Sequence, residues 1–212
     1  MSNTIADPRA EKKRRDVLNA ARRRFMEDGY ANAGMEQIAR EATVSTATLY
    51  SYFPGKADLF REVIEDTVQE MSRRMHAVMV QAEGDAETHL RLFVSTYARF
   101  MAEPNSRALF RLIASERKRF EPTAGWFWRQ AQVEFGTGLM TVLKRLSDEG
   151  RVSIPDFASA AGQLLGMVEH PTLTVPMIQG DEVLIARSVD DICDDALVTF
   201  YARYGVKASV PA

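Results

Sequence analysis

The sequence has little of what catalysis or membrane insertion requires. One cysteine, Cys193, and three histidines, His76, His89 and His170, are spread over 212 residues. A lone cysteine closes no intrachain disulfide, which fits a reducing compartment, and within the apolar pattern around it Cys193 reads as a small core side chain. The histidines lack metal-ligand spacing. There is no phosphate-cradling glycine loop and no Gly-x-Ser-x-Gly elbow. No apolar run approaches the roughly 20 residues that a bilayer span needs, and the polar N-terminus lacks the apolar stretch of a secretory signal. No alternating strand pattern of any length appears, and no internal repeat. Charge of one sign is also missing, with 27 Lys and Arg against 29 Asp and Glu for a net −2. These absences predict an all-helical, cytoplasmic protein with no membrane segment, catalytic residues, metal or cofactor.

What is present is a composition of 46% hydrophobic and 26% charged residues, typical of a globular chain. The charge is unevenly placed. Arg9, Lys12, Lys13, Arg14, Arg15, Arg22, Arg23 and Arg24 face only Glu11 and Asp16 in the same stretch. Such a run is either a solvated helix face or a phosphate-contacting one. Its place directly before the segment 35–53 favours phosphate contact for part of it.

In residues 35–53, Ile38, Ala39 and Ala42 share one face of a short helix. Thr43-Val44-Ser45 breaks the pattern, and Leu49 and Phe53 resume it four residues apart. Ser45 suits an N-cap, since its hydroxyl accepts an orphan amide hydrogen of the first turn. Two short helices joined by a tight turn form a helix-turn-helix. The second would turn Thr46, Ala47, Thr48, Tyr50, Ser51 and Tyr52 outward, small or hydrogen-bonding groups suited to a DNA groove. Leu49 and Phe53 would face inward.

The run from Tyr30 to Phe60, with Ile38-Ala39, Ala42-Thr43-Val44-Ser45, Thr48-Leu49-Tyr50, Tyr52-Phe53, Lys56 and Leu59-Phe60, resembles the DNA-binding domain of TetR-family transcriptional regulators. Two positions depart from that pattern. Thr43 replaces the turn glycine, which implies strain if its φ is positive, and Gly34 replaces a Thr or Ser cap. The resemblance implies that Lys56 contacts a phosphate, aided by the amino terminus of its helix. Thr46, Thr48 and Tyr50 are candidates for base or backbone contact in the major groove. Gln37, Thr43, Ser45, Tyr52 and Lys56 are candidates for phosphate contact and orientation.

The rest of the chain predicts about nine helices. Residues 1–7 read as a disordered arm. A first helix runs from Pro8, capped by Asp7, to Asp28, stopped by Gly29, with Val17, Leu18, Ala21 and Phe25 inward. A long helix from Lys56 to Ala82 links the two halves, 1–54 and 55–212. Further helices are expected over 85–102, from 105 or 106 to 118, 122–150, 156–169 and 181–204, with a loop after His170-Pro171. Gly136 and Gly138 weaken the 122–150 helix and permit either close packing or a bend. The small residues of 158–166 would admit a close backbone neighbour.

The segment from Thr96 to Val168, with Glu103-Pro104, Arg107-Ala108-Leu109-Phe110-Arg111-Leu112 and Phe157, is similar to the AefR-like branch of the family. The resemblance implies a small-molecule effector, hydrophobic or aromatic, enclosed by the central C-terminal helices. Phe93, Tyr97, Phe110, Trp126, Phe127, Phe135, Met167 and His170 are the candidates to line that site, from a larger set of bulky side chains most of which read as packing. It also implies a homodimer whose last two helices pair across a two-fold axis, matching a palindromic double-stranded DNA operator. The apolar stripe Val189, Ile192, Cys193, Ala196, Leu197, Phe200 and Tyr201 would serve that interface or the protomer's own core. The reading is a ligand-responsive regulator, a repressor. The alternative is a helical small-molecule-binding or enzymatic protein whose N-terminal unit makes protein contacts.

Overall fold

A computed structural model describes residues 8–81, 83–180 and 187–206. The predicted N-terminal arm, the Asp7 cap and the start of the last helix at Asp181 lie outside these residues. The α-helices are α1 (Pro8–Asn32), α2 (Met35–Glu41), α3 (Thr46–Tyr52), α4 (Lys56–Gln81), α5 (Ala86–Ala102), α6 (Pro104–Ser115), α7 (Glu121–Ala131), α8 (Thr137–Asp148), α9 (Phe157–Glu169), α10 (Val175–Gln179) and α11 (Val189–Tyr204). Two π-helical turns, Gln132–Gly136 and His170–Thr174, fuse α7 to α8 and α9 to α10, leaving nine continuous helical runs among the described residues. The one β-like pairing there is an isolated antiparallel bridge between Val152 and Gly205.

Packing divides the chain into two units. The first comprises residues up to Gln69 together with Arg111–Phe127, and the second comprises Glu70–Phe110 and the chain from Trp128 onward. The backbone passes from one to the other within α4, α6 and α7.

In the first unit the apolar stripes converge as their periodicity requires. Val17, Leu18, Ala21 and Phe25 of α1 are buried with Ile38, Leu49 and Phe53. Phe120, which follows α6, adds its ring 4.6 Å from that of Phe60 and 4.8 Å from that of Tyr30. Gly29 leaves helical backbone at φ 75°, as expected of a helix-stopping glycine, and one further turn reaches Asn32. Gly34 is the extended N-cap of α2 and makes no side-chain cap bond. Thr43 takes φ 56°, so the left-handed strain anticipated for a non-glycine in this turn is present. Ser45 caps α3, its Oγ accepting from the Thr48 amide at 3.1 Å.

In the second unit α5 is the central helix, packed on α8, α9 and α11. Leu90, Phe93, Val94, Tyr97 and Met101 of α5 are buried with Leu139 and Leu143 of α8, Leu164 of α9, and Ile192 and Phe200 of α11. The α11 stripe therefore faces the protomer's own core. The Gly136/Gly138 alternative resolves both ways. A Cβ on Gly138 would lie 3.1 Å from the Phe93 ring, whereas Gly136 ends the π turn with open space beside it. The loop expected after Pro171 is mostly helical to Gln179. Pro171 and Pro176 both lie inside the continuous α9–α10 run, one in the π turn and one at the start of α10, where each removes a donor from the helical ladder without ending the helix. α6 likewise starts at Pro104, a residue earlier than expected.

Two substitutions at the α2–α3 turn should shift stability in opposite directions. Ser45→Ala removes the cap and is expected to cost about 1 kcal/mol in urea unfolding. Thr43→Gly relieves the left-handed backbone and should stabilise by less than about 1 kcal/mol, because glycine's unfolded-state entropy offsets part of the relief.

Candidate functional site

α3 presents Thr46, Ala47, Tyr50 and Ser51 to solvent, and Tyr50 is 49% exposed. Thr43, Ser45 and Gln37 are exposed beside it. The half-buried residues on this surface are held by local bonds. The Thr48 hydroxyl lies 2.8 Å from that of Ser45, and Ser51 Oγ donates to the Thr48 carbonyl. The Tyr52 hydroxyl donates to the Ala10 carbonyl at 3.2 Å, fastening α3 to α1. Lys56 Nζ donates to the Ala31 carbonyl at 2.9 Å and sits 4.8 Å above the Tyr30 ring, which the Arg119 guanidinium also covers at 5.2 Å. Burial, and then Arg119, lower the Lys56 pKa. Gln37, Tyr50 and Lys56 border one open depression with Gly34 and Arg40.

The basic run of α1 separates into two classes. Arg14 pairs with Glu62, Arg22 with Asp66, and Arg23 and Arg24 with the two oxygens of Glu41. These pairs tie α1 to α4 and to the end of α2. The Arg23 and Arg24 bonds hold the Glu41 carboxyl below its ordinary range, the Arg23 bond most of all. Lys12 and Lys13 are exposed, with no ion-pair partner among the described residues.

The second unit contains a cavity of about 500 Å³ between α5, α6, the α7–α8 junction and α9. Its walls are Tyr97, Met101, Phe110, Phe135, Gly136, Met140, Ala158, Ala161, Gly162, Leu165 and Glu169. The Tyr97 and Phe135 rings meet edge to face at 5.1 Å. The Tyr97 hydroxyl donates to Glu169 Oε1; Tyr97 is buried and Glu169 half-buried. Burial pushes the Tyr97 phenol up, and the adjacent Glu169 adds to that. Burial also pushes the Glu169 carboxyl up, with the Tyr97 bond opposing in part. A mostly apolar cavity of this size with a few convergent polar groups has the physical form in which small molecules are commonly bound.

Residues 17–63 match the model of bacterial regulatory proteins of the tetR family, and residues 88–206 match that of the AefR-like transcriptional repressor C-terminal domain. The chain belongs to the TetR family. A relative from Aromatoleum sp. (strain CIB), the HTH-type transcriptional regulator HbdR, is 34% identical over 37% of this chain, which spans 36% of that protein's length. A structure described as a TetR-family transcriptional regulator from Mesorhizobium loti superposes with a TM-score of 0.80 at 26% identity, covering 94% of this chain and all of that one. The flavonoid-responsive regulator FrrA superposes at 0.69 and 27% identity, over 93% of this chain and 100% of its own.

Within this TetR-family chain, the predicted cavity residues separate. Tyr97, Phe110 and Phe135 line the cavity. Phe93 does not; it is fully buried, with its ring against Gly138. Met167 packs on the core, and His170 is exposed where the π turn begins. Trp126 and Phe127 belong to the first packing unit. Glu169 was missed, although a lone carboxylate on a helix of alanine, glycine, leucine and methionine is a readable signal. Within the chain, Ala158, Ala161 and Gly162 of α9 border the cavity, and nothing lies within 4 Å of the position of a Gly162 Cβ.

Two measurements check this geometry. Gly162→Ala should stabilise the unliganded protein by roughly 0.5–1 kcal/mol, because the helix gains propensity without a clash. Glu169 contributes with a definite sign. A carboxyl raised in the folded state gives stability that is complete below the unfolded value of about 4.3 and is lost as pH rises through the folded value. Glu169→Gln keeps an acceptor for Tyr97 but cannot ionise. Its stability relative to the parent should therefore grow from pH 5 to pH 8 in urea unfolding, and a shrinking gap would mean that the carboxylate is the favoured form.

Proposed function

We propose that the protein is a ligand-responsive, DNA-binding transcriptional repressor, acting in the cytoplasm as a homodimer. Residues to about 54 read DNA, and 55–212 dimerise and sense the effector. The observation that carries the reading is the exposed, hydroxyl-rich face of α3, capped at Ser45 and pinned to α1 through Tyr52. Thr46, Thr48 and Tyr50 contact the major groove. Gln37, Thr43, Ser45 and Lys56 hold phosphates, and Lys56 keeps two of its three donors for that role after bonding Ala31. Tyr52 orients α3. Lys12 and Lys13 supply long-range attraction to the duplex.

The effector occupies the cavity bounded by Tyr97, Phe110, Phe135 and Glu169. That FrrA responds to flavonoids supports an aromatic effector. Dimerisation is supported by family membership and by the exposed small residues Ala158, Ser159, Gly162 and Gly166 of α9, beside Val198, Thr199 and Ala202 of α11. Effector binding releases DNA only if the arrangement that does not bind DNA takes the ligand better.

Fluorescence anisotropy on the DNA flanking the protein's own coding region, at two salt concentrations with competitor duplex, tests the reading. Tyr50→Ala should weaken operator binding about tenfold or more while leaving helical content and dimer mass unchanged. Lys12→Ala with Lys13→Ala should reduce the salt slope by about 1 to 2. Arg22→Ala should instead lower stability and leave the slope in place. Binding no tighter than to competitor, here and after selection from random duplexes, would refute the regulator and favour a helical ligand-binding protein that acts through protein contacts.

A further inference from the structure

Tyr97 and Glu169 are the polar side chains among the described residues lining the cavity, in walls otherwise made of aromatic rings, methionines, leucine, alanine and glycine. Tyr97 donates its proton to Glu169 Oε1, and the second carboxyl oxygen has no protein donor among the described residues. That oxygen keeps some access to water but is poorly hydrated in an apolar wall, and a ligand that displaces this water is favoured when it brings a donor of its own. A ligand carboxylate of the same shape meets like charge in a poorly solvated site. Selection between these two is steeper than any selection by shape in an apolar pocket.

We propose that Glu169 makes this cavity specific for apolar, aromatic-bodied molecules carrying a hydrogen-bond donor, a phenolic hydroxyl or an ammonium group, and excludes the corresponding carboxylates. This rests on the reading of the cavity as the effector site. Tyr97 is a positioning residue: its hydroxyl fixes one carboxyl oxygen, so the other presents a single defined acceptor. The Phe110 and Phe135 rings provide the flat apolar contact, and for an ammonium ligand their faces add cation–π attraction.

The test uses the full chain without DNA and three probes on one naphthalene body: 2-naphthol, 2-(aminomethyl)naphthalene and 2-naphthoate. Calorimetric titration and the shift in unfolding midpoint are read for the parent, for Glu169→Gln and for Gly136→Leu. The leucine fills cavity space that is open beside Gly136, and circular dichroism checks that this variant folds. The parent should bind at least one donor-bearing probe about tenfold more tightly than naphthoate. Glu169→Gln should erase the ammonium preference and admit naphthoate, while naphthol changes little because the amide oxygen still accepts. An ammonium-first ranking in the parent assigns the cationic class, and a naphthol-first ranking the phenolic class.

Naphthoate binding as tightly as the donors, a ranking unchanged by Glu169→Gln, or no binding of any probe at about 1 mM would overturn the inference. Gly136→Leu separates the failures. A wrong ranking that this variant still blocks leaves the cavity as a ligand site and removes only the proposed class. Binding that ignores Gly136→Leu places the ligand elsewhere and removes the cavity reading too. Operator binding judges the DNA-binding role independently of both.

Discussion

Helix α5 has almost no surface of its own, and the second unit is arranged around that constraint. Thr88, Arg91 and Arg99 are its exposed residues, and both arginines are paired with aspartates of α11, Asp194 and Asp190. Exposed pairs of this kind contribute little free energy, so they set the register of α11 more than they hold it. The broad apolar face of α5, Leu90, Phe93, Val94, Tyr97, Ala98 and Met101, must be enclosed, here by α8, α9 and α11. Where the enclosing side chains are large, as with Leu139, Leu143, Ile192 and Phe200, the core is filled. Where α9 offers Ala158, Ala161 and Gly162 instead, it is not, and the cavity lies there.

An unfilled apolar volume and a half-buried carboxyl are each destabilising, and here they occupy the same place. Interiors are packed to crystal-like density, and empty space forfeits contacts in proportion to its volume. A carboxyl among phenylalanine and methionine loses hydration that one phenol replaces only in part. Elsewhere in the unit Cys193 is buried as a small hydrophobe near the Val94 carbonyl and the Thr172 hydroxyl donates to Val168, while the Tyr201 hydroxyl is buried without a hydrogen-bond partner among the described residues. The coincidence of the two departures at one spot, more than any single wall residue, is what singles out this cavity for the proposed role.

Helical periodicity in the sequence was sufficient to find the helix-turn-helix and its core, because it is a local property. Ile38, Leu49 and Phe53 are buried where their spacing places them, and Thr43 has the positive φ expected of a threonine in a glycine's position. The cavity was only partly legible, because a cavity is defined by what stands opposite. Phe93 and Tyr97 lie one turn apart on the same helix, yet one meets Gly138 and the other open space. The same limit applies to α9, whose small residues signal close approach or empty volume equally well until the neighbouring side chain is known. Pro171 and Pro176 suggested a loop because proline usually ends helices, but here the run continues through both, with a π turn at the first.

Charge density along α1 shows why a run of one sign is a poor measure of attraction to an anion. Of the eight basic residues from Arg9 to Arg24, four meet acids from distant parts of the chain: Glu62, Asp66 and the shared Glu41. Each such acid cancels at short range the field that the arginine would project, so Arg22, Arg23 and Arg24 hold the first unit together more than they attract anything outside it. Lys12 and Lys13 retain their outward field. With so few uncompensated cations and a net charge of −2, long-range attraction to a phosphate backbone is modest. On the proposed reading, discrimination then comes from the short-range contacts of α3. That helix is only seven residues long and cannot hold its own geometry in isolation. The Ser45 cap and the Tyr52–Ala10 bond therefore hold in place the helix whose side chains, on that reading, would meet the bases.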